Sequence, residues 1–474
     1  MVCFVSGAVC CNIIGHGCLL GFPGVLLPQL HAPGSSIAVT KDVESWITSV
    51  LAISMFFGNF MTPPIMARAG RKWAHYAVTL PVLAGWLCMI LATSFEALLI
   101  GRVLHGISFG MFMPLRSVLI GEYTSPKNRG GFLTTIALAQ AFGILFVHFV
   151  GSVTSFQMAA FISMFFSFIS LLMTIYSPES PSWLATQGRY DECRKVFIWL
   201  RGHDETPELE KMIKATQVKE EAPTQKQNFL KEMVEVAKKK EFYKPVLLMF
   251  AVYIMLQFAG GTLMASYSTK VIELLMGPDV DAHFWMVALD TQRIFFNIIA
   301  VYVINKVKIR TMMFATGSLC AGCHLAMASY VYAKINGLLP FDSLWIPGIL
   351  INLQIVSVAM GMVPLPSVIA GEVFPLQYRS LGGSISLVAV AGTIFLVLKT
   401  FPGLISLMGL HGTYTLYSGI LTACLVVTYF LLPETRGKTL QQIEEHFRGK
   451  PLVDPETEGK ELTPLNGSEK KSLP

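Results

Sequence analysis

The sequence predicts an all-α membrane protein of twelve transmembrane helices, built as two pseudo-symmetric six-helix bundles. Three observations predict it. Only 14% of the 474 residues are charged and 53% are hydrophobic, whereas soluble chains carry about 25% charged residues. The apolar residues fall into twelve runs of roughly 20, enough to cross about 30 Å of hydrocarbon at 1.5 Å per residue. One signature, a proline and an acid before a helix-starting hydroxyl, closes an apolar run twice. It reads Pro178-Glu179-Ser180-Pro181-Ser182-Trp183-Leu184 in mid-chain and Pro433-Glu434-Thr435-Arg436-Gly437 near the end. Its recurrence half a chain apart marks two halves of related design.

The first run, residues 3–22, starts almost at Met1 and no small-residue cleavage site follows it. It reads as a retained span rather than a signal peptide. Runs at 45–66, 73–93, 98–120, 132–151 and 158–177 complete the N-terminal bundle, residues 1–180. The polar segment 181–243 then divides the spans six and six and reads as a cytoplasmic helical linker. Its first part, Trp183 to Leu200, has helical periodicity; Gly202 to Gln227, with Pro207 and Pro223, reads as loop; Glu232 to Lys240 returns to helix. Runs at 244–270, 283–304, 310–333, 346–370, 380–401 and 413–432 form the C-terminal bundle, residues 244–435. Residues 436–474 are a cytoplasmic tail whose polar composition after Arg448 predicts disorder.

Charge orients these spans. One set of loops holds Arg68, Arg71 and Lys72, then Lys127 and Arg129, the basic stretch 189–244, Lys306, Lys308 and Arg310, Arg379, and the tail from Arg436. The alternate loops hold little beyond Lys41, Arg102 and Lys334. The excess of Lys and Arg places both termini in the cytoplasm. The net charge of +6 is this topological bias and gives no reason to invoke nucleic acid. Cys3, Cys10, Cys11 and Cys18 in the first span, and Cys320 and Cys323 in the ninth, read as small apolar fillers. A zinc site needs four ligands converging in polar surroundings. The sequon at Asn466-Gly467-Ser468 lies in the predicted cytoplasmic tail and is expected to stay unused. No nucleophile–base pair, metal cluster or phosphate loop points to an enzyme, and no cofactor or obligate protein partner is implied. The expected partners are a small-molecule solute and the lipid bilayer.

Two groups of residues carry chemistry. At predicted inner helix ends, acids stand near arginines in both halves: Arg68, Arg71, Glu122, Arg129, Glu179 and Arg189 in the first, Glu372, Arg379, Glu434 and Arg436 in the second. Such pairs can hold a closed inner gate and break as the bundles rock apart; read singly, each basic residue only enforces topology. The second group is mid-span. Arg293 lies within span eight, with Asp290 three residues earlier on the same face. An ionisable residue at that depth costs several kcal/mol unless paired or hydrated. It is either a buried structural pair or part of a solute site in a water-filled cavity. Arg116 lies about 240° around the helix from Glu122 and so does not share its face.

The chain resembles the sugar porters of the major facilitator superfamily along essentially its whole length. The matching pieces are Gly101-Arg102, Gly143-Ile144-Leu145, Pro178 to Leu184, Gly188-Arg189, Leu200-Arg201-Gly202, Pro364-Leu365-Pro366, Glu372 to Arg379 and Pro433 to Leu440. Gly188-Arg189, Leu200-Arg201-Gly202 and Lys399-Thr400-Phe401 are most similar to the insect facilitated trehalose transporter branch. The resemblance implies a major facilitator fold, alternating access and a plasma-membrane location. It also implies a sugar pocket at Gln257, Thr262, Tyr267 and His148, with Arg293 where the family tends to have an Asn or Gln. The departures are informative. Pro23 stands where the family's proton-carrying acid would be, which favours facilitated diffusion. Leu256, Thr262, His148, Ser367, Val390 and Ala391 replace pocket amides, an Asn or tryptophans, while Ala67, Asn305, Ile309, Ser117 and Leu119 interrupt the gate signature. Sugars are held by amides that donate and accept at once, against an aromatic wall, so three readings follow. The first is a facilitative carrier for trehalose or a hexose. The second keeps the fold and changes the solute to one carrying a carboxylate or sulfate. The third is a transport-poor sensor descended from a carrier.

Overall fold

Hydroxyl caps and close helix packing shape the first bundle. The helices are α1 (Val2–His31), α2 (Lys41–Arg68), α3 (Arg71–Ile90), α4 (Phe95–Tyr123), α5 (Pro126–Val153) and α6 (Phe156–Tyr176). Thr40, Ser94 and Ser155 each accept a backbone N–H of the first turn of α2, α4 and α6, satisfying a donor the helix cannot. With no hydrophobic drive between helices in lipid, association depends on close contact. A Cβ at Gly110 would stand 2.0 Å from the Met55 carbonyl, and one at Gly17 2.3 Å from that of Gln140. Glycine there lets α4 lie on α2 and α1 on α5.

The computed structural model describes residues 2–449 apart from 36, 125, 203–204, 222–235, 305, 340–342, 375–378, 437 and 439. The tail beyond 449 and part of the predicted final linker helix lie outside the described residues. After the first bundle come the linker helices α7 (Pro181–Thr186), α8 (Tyr190–Arg201) and α9 (Thr206–Glu221). The second bundle opens with α10 (Lys240–Phe258) and α11 (Gly261–Met276), two parts of one crossing. Next are α12 (Ala282–Ile304) and α13 (Ile309–Ile335). The tenth crossing is α14 (Trp345–Ser357), a π-helical turn at Val358–Met362, and α15 (Pro364–Val373). The last apolar stretch, Gly382–Leu431, has 50 residues and lies within α16 (Arg379–Leu431), which turns at Gly409 (φ 67°) and holds two crossings. Eleven apolar stretches thus supply twelve crossings. The short helix α17 (Leu440–Arg448) follows. The face bearing α7–α9 is called the linker face below, the other the opposite face.

Two local expectations change. α1 continues beyond residue 22, through Pro23 and Pro28. Pro23 cannot donate to the Leu19 carbonyl, and Arg102 supplies the missing donor at 2.7 Å while also bonding Ile47 O at 3.0 Å. Arg102 is therefore a buried helix-interior residue, 1% exposed, and not a loop charge. The stretch after Gly202 contains the helix α9 rather than loop alone. Pro207 falls in its first turn, where proline is tolerated. Leu209 and Ile213 then pack on Trp183, Leu184 and Phe197.

Candidate functional site

The seventh crossing is broken where the two bundles face each other. Gly260 adopts φ 91°, open to glycine at no steric cost. The break leaves the Ala259 carbonyl without its helical donor, and Gln354 Nε2 on α14 donates to it at 3.0 Å. Gln354 in turn meets His324 Nε2 at 2.9 Å. Gln257 and Thr262 flank the break, and Thr262 donates its hydroxyl to Gln257 Oε1 at 2.6 Å. The two polar groups at the hinge are thus bonded to each other.

One helical turn past Thr262, the bundles are bridged by a buried charged cluster. His148 of α5 places Nδ1 2.5 Å from Asp290 Oδ2 of α12. Its Nε2 lies 3.0 Å from Gly21 O of α1 and 3.1 Å from Ala265 O of α11. Carbonyl oxygens only accept, so Nε2 carries a proton shared between them. One further proton lies on the His148–Asp290 contact. Arg293, a turn along α12, has NH1 3.7 Å from Asp290 Oδ1. The expected Asp290–Arg293 neighbours are therefore joined by a third partner, His148, and that partner holds the carboxylate more closely.

Further ties cross between the bundles at the opposite face. Tyr267 hydrogen-bonds Thr48 at 2.8 Å and lies 3.4 Å from Leu398 O. Lys270 of α11 reaches the buried Glu44 of α2 at 3.1 Å, where His31 also lies at 3.4 Å. Lys399 of α16 meets Asp42 at 3.0 Å and Ser45 at 2.8 Å, with its ammonium 4.1 Å from the centre of the Trp46 ring. Tyr267, grouped by sequence with the pocket, stands here in the closure.

The linker-face residues behave differently. Arg71 forks onto Glu122 at 2.8 and 2.6 Å, a bidentate pair, and Ser180 donates to the same carboxylate at 2.5 Å. Glu179 accepts from the backbone of Arg71, Lys72 and Ser180, capping α3. Glu434 repeats that role, accepting from Ile309 and Arg310 at the start of α13. Arg436 donates to Lys306 O. Arg189 pairs locally with Glu192 at 2.5 Å. All these bonds stay within one bundle or within the linker. Arg68 is exposed, and Glu372 has a buried oxygen with no partner among the described residues. The side chains of Arg129 and Arg379 lie outside the described residues. Arg116 meets no acid among the described residues; its NH1 lies 3.5 Å from Gln140 Oε1. It is half-buried one turn from Met113, which lines a small cleft between the bundles with Met55, Asn59 and Leu387.

Sequence reasoning missed Asp42, Glu44, Thr48 and Lys270 as a set. A carboxylate at the start of one span and a lysine at the end of another were the available signal.

Two six-helix bundles with polar clusters between them define a membrane carrier of the major facilitator type. The chain belongs to the sugar (and other) transporter family, whose profile matches residues 16–447. This is a family of carriers, not enzymes. The chain is 27% identical over 421 residues, 88% of its own length, to the facilitated trehalose transporter Tret1 of Aedes aegypti, of which it covers 51%. It is 26% identical to Tret1 of Apis mellifera ligustica, covering 88% of itself and 82% of that protein. It thus spans about half the length of the Aedes aegypti relative. Its fold matches the proton:xylose symporter XylE bound to 6-bromo-6-deoxy-D-glucose with a TM-score of 0.73 at 16% identity, covering 94% of this chain and 99% of that one. An inward-open XylE from E. coli matches at 0.72 and 14%, covering 94% and 98%.

Proposed function

We propose that this chain is a facilitative carrier that moves a small polyol solute, a hexose or trehalose in the first instance, by alternating access in the plasma membrane. The observation that carries the reading is the distribution of cross-bundle bonds. Among the described residues they occupy the opposite face and the midplane, while the linker-face bonds named above stay within one bundle or within the linker, and Arg201 and Trp183 tie the linker to the first bundle. Breaking the first set and rocking the bundles would expose the midplane to the other side. The excess of Lys and Arg on the linker face supports a cytoplasmic location for that face and for both termini. Solute would bind at Gln257 and Thr262, beside His148, Asp290 and Arg293, with Tyr267 closing above it. This amide–hydroxyl pair, bonded to each other among the described residues, can exchange that bond for solute hydroxyls at little cost. The relatives named as trehalose transporters make trehalose the first solute to test. Pro23, and the absence of any acid in Val2–His31, support uniport.

The test is uptake of labelled glucose and trehalose into oocytes expressing wild type or Gln257→Ala, with and without an imposed proton gradient. Saturable uptake that ignores the gradient and falls about tenfold in the variant supports the reading. Dependence on the gradient would instead assign coupling, with His148–Asp290 the first place to look. Surface-expressed protein that moves neither sugar overturns the neutral-sugar carrier and favours an anionic solute or a sensor.

A further inference from the structure

Among the described residues two arginines are buried at depth, and they differ in their partners. Arg102, 1% exposed, donates to the carbonyls of Leu19 and Ile47. Its burial has a structural cause, since Pro23 leaves one of those carbonyls without a donor. Arg293, 6% exposed, has no comparable account. A guanidinium offers five N–H donors, yet no described residue accepts from it within hydrogen-bond distance, and its Nε is fully enclosed without a partner. Its nearest acid, Asp290, stands 3.7 Å away and is already bonded to His148 at 2.5 Å.

Charge counting sharpens this. Nε2 of His148 faces two carbonyls and is protonated, so the single proton between Nδ1 and Asp290 leaves the pair neutral whichever partner holds it. The charge of Arg293 is then uncompensated, leaving one net positive charge where a bare cation is expensive. The side chain also points to the right place. Met286, Asp290, Arg293, Asn297 and Ala300 form the buried stripe of α12, and Asp290 on that stripe reaches α5 of the other bundle. Arg293 lies one turn nearer the linker face.

We propose that the solute carries one negative charge, a carboxylate on a polyol frame, and that Arg293 receives it. A single net charge favours a monoanion over a phosphate ester, which brings about two at neutral pH. The planar guanidinium matches a carboxylate bidentately, while Gln257 and Thr262 remain for the solute's hydroxyls. This rests on the carrier reading and replaces its neutral sugar with a sugar acid.

The experiment measures uptake of labelled glucuronate, glucose and glucose 6-phosphate at pH 7 by oocytes expressing wild type, Arg293→Gln, Arg293→Lys or Gln257→Ala, with surface protein quantified. Expected are saturable glucuronate uptake exceeding that of glucose, a loss of about tenfold or more in Arg293→Gln, partial retention in Arg293→Lys, and loss in Gln257→Ala. Arg293→Gln should lower glucuronate uptake by a larger factor than it lowers glucose uptake. Glucose preferred over glucuronate by the wild type, or glucuronate uptake indifferent to Arg293→Gln, overturns the inference while leaving the carrier intact. Preference for glucose 6-phosphate overturns the monoanion. Thermal shifts of the purified wild type with each solute decide the matter where variants fail to reach the surface or no flux is seen. Stabilisation by glucuronate above glucose is expected, and its absence counts against Arg293 as the receptor. Failure of all flux with binding intact removes the carrier reading and keeps the site.

Discussion

The two faces of the molecule use similar charged residues for opposite purposes. At the opposite face, Lys270 and Lys399 of the second bundle reach Glu44 and Asp42 of the first. At the linker face, Arg71 and Glu122 pair inside the first bundle, and Glu179 and Glu434 cap helices of their own bundles. Bonds of the first kind must break for the bundles to rock. Bonds of the second kind would travel with one bundle as it rocks. A charged pair at a helix end is therefore not evidence of a gate until its partner's bundle is known.

The largest effect should come from the rigid side. Glu122→Ala leaves the guanidinium of Arg71 with only Met66 O and strips Ser180 of its acceptor. Both partners' side chains are 17% exposed, and removing one member of such a pair costs about 3 kcal/mol. The expected result is a marked fall in the thermal midpoint and in surface expression. The protein that does reach the surface should show unchanged accessibility at the opposite face. A gating change without loss of stability would break the comparison, because it would make this pair a moving part.

Next in size is Lys270→Ala. Glu44 is 1% exposed, and without Lys270 the His31 imidazole at 3.4 Å is left beside it. The closed opposite face then holds a poorly paired carboxylate that opening would hydrate. We expect the open population to rise about tenfold, equivalent to about 1.4 kcal/mol. An impermeant thiol reagent applied to the opposite face should label Thr48→Cys faster in this background, after subtraction of labelling at native cysteines. No change in rate would mean that Tyr267 and its apolar neighbours close the face unaided.

The contrast between these variants also shows what the sequence could reveal. Apolar runs and the repeated Pro-Glu signature carried the twelve crossings, because length and hydropathy are local properties. The helical continuation past Pro23 was hidden, since it depends on Arg102 from another helix. Asp290 and Arg293 stood out as charges in an apolar run, Gln257, Thr262 and His148 through the family resemblance, and the fold brings His148 to Asp290 from 142 positions away. What no periodicity encodes is which bundle supplies a partner. Glu122 and Glu44 look alike as acids near span ends, yet one meets an arginine of its own bundle and the other a lysine from across the interface. Lys270 sat at the edge of a predicted span, a signal that did not name its partner.

The smallest effect, and the finest test of the comparison, is Lys399→Gln. This lysine also crosses the bundles, but Asp42 has 78% of its side chain exposed. Solvent screens such a pair, and its worth is about 0.5 kcal/mol. The ammonium over Trp46 adds a cation–π contact of similar size at an exposed site. Glutamine keeps a donor for Ser45 and removes the charge. Labelling of Thr48→Cys should therefore rise about twofold or less, and the increment should shrink in high salt, where exposed pairs are screened further. The Lys270→Ala increment should persist in salt, because Glu44 is shielded from it by burial. Equal and equally salt-sensitive effects at the two lysines would mean that net charge across the interface, rather than the buried Glu44, holds the opposite face shut.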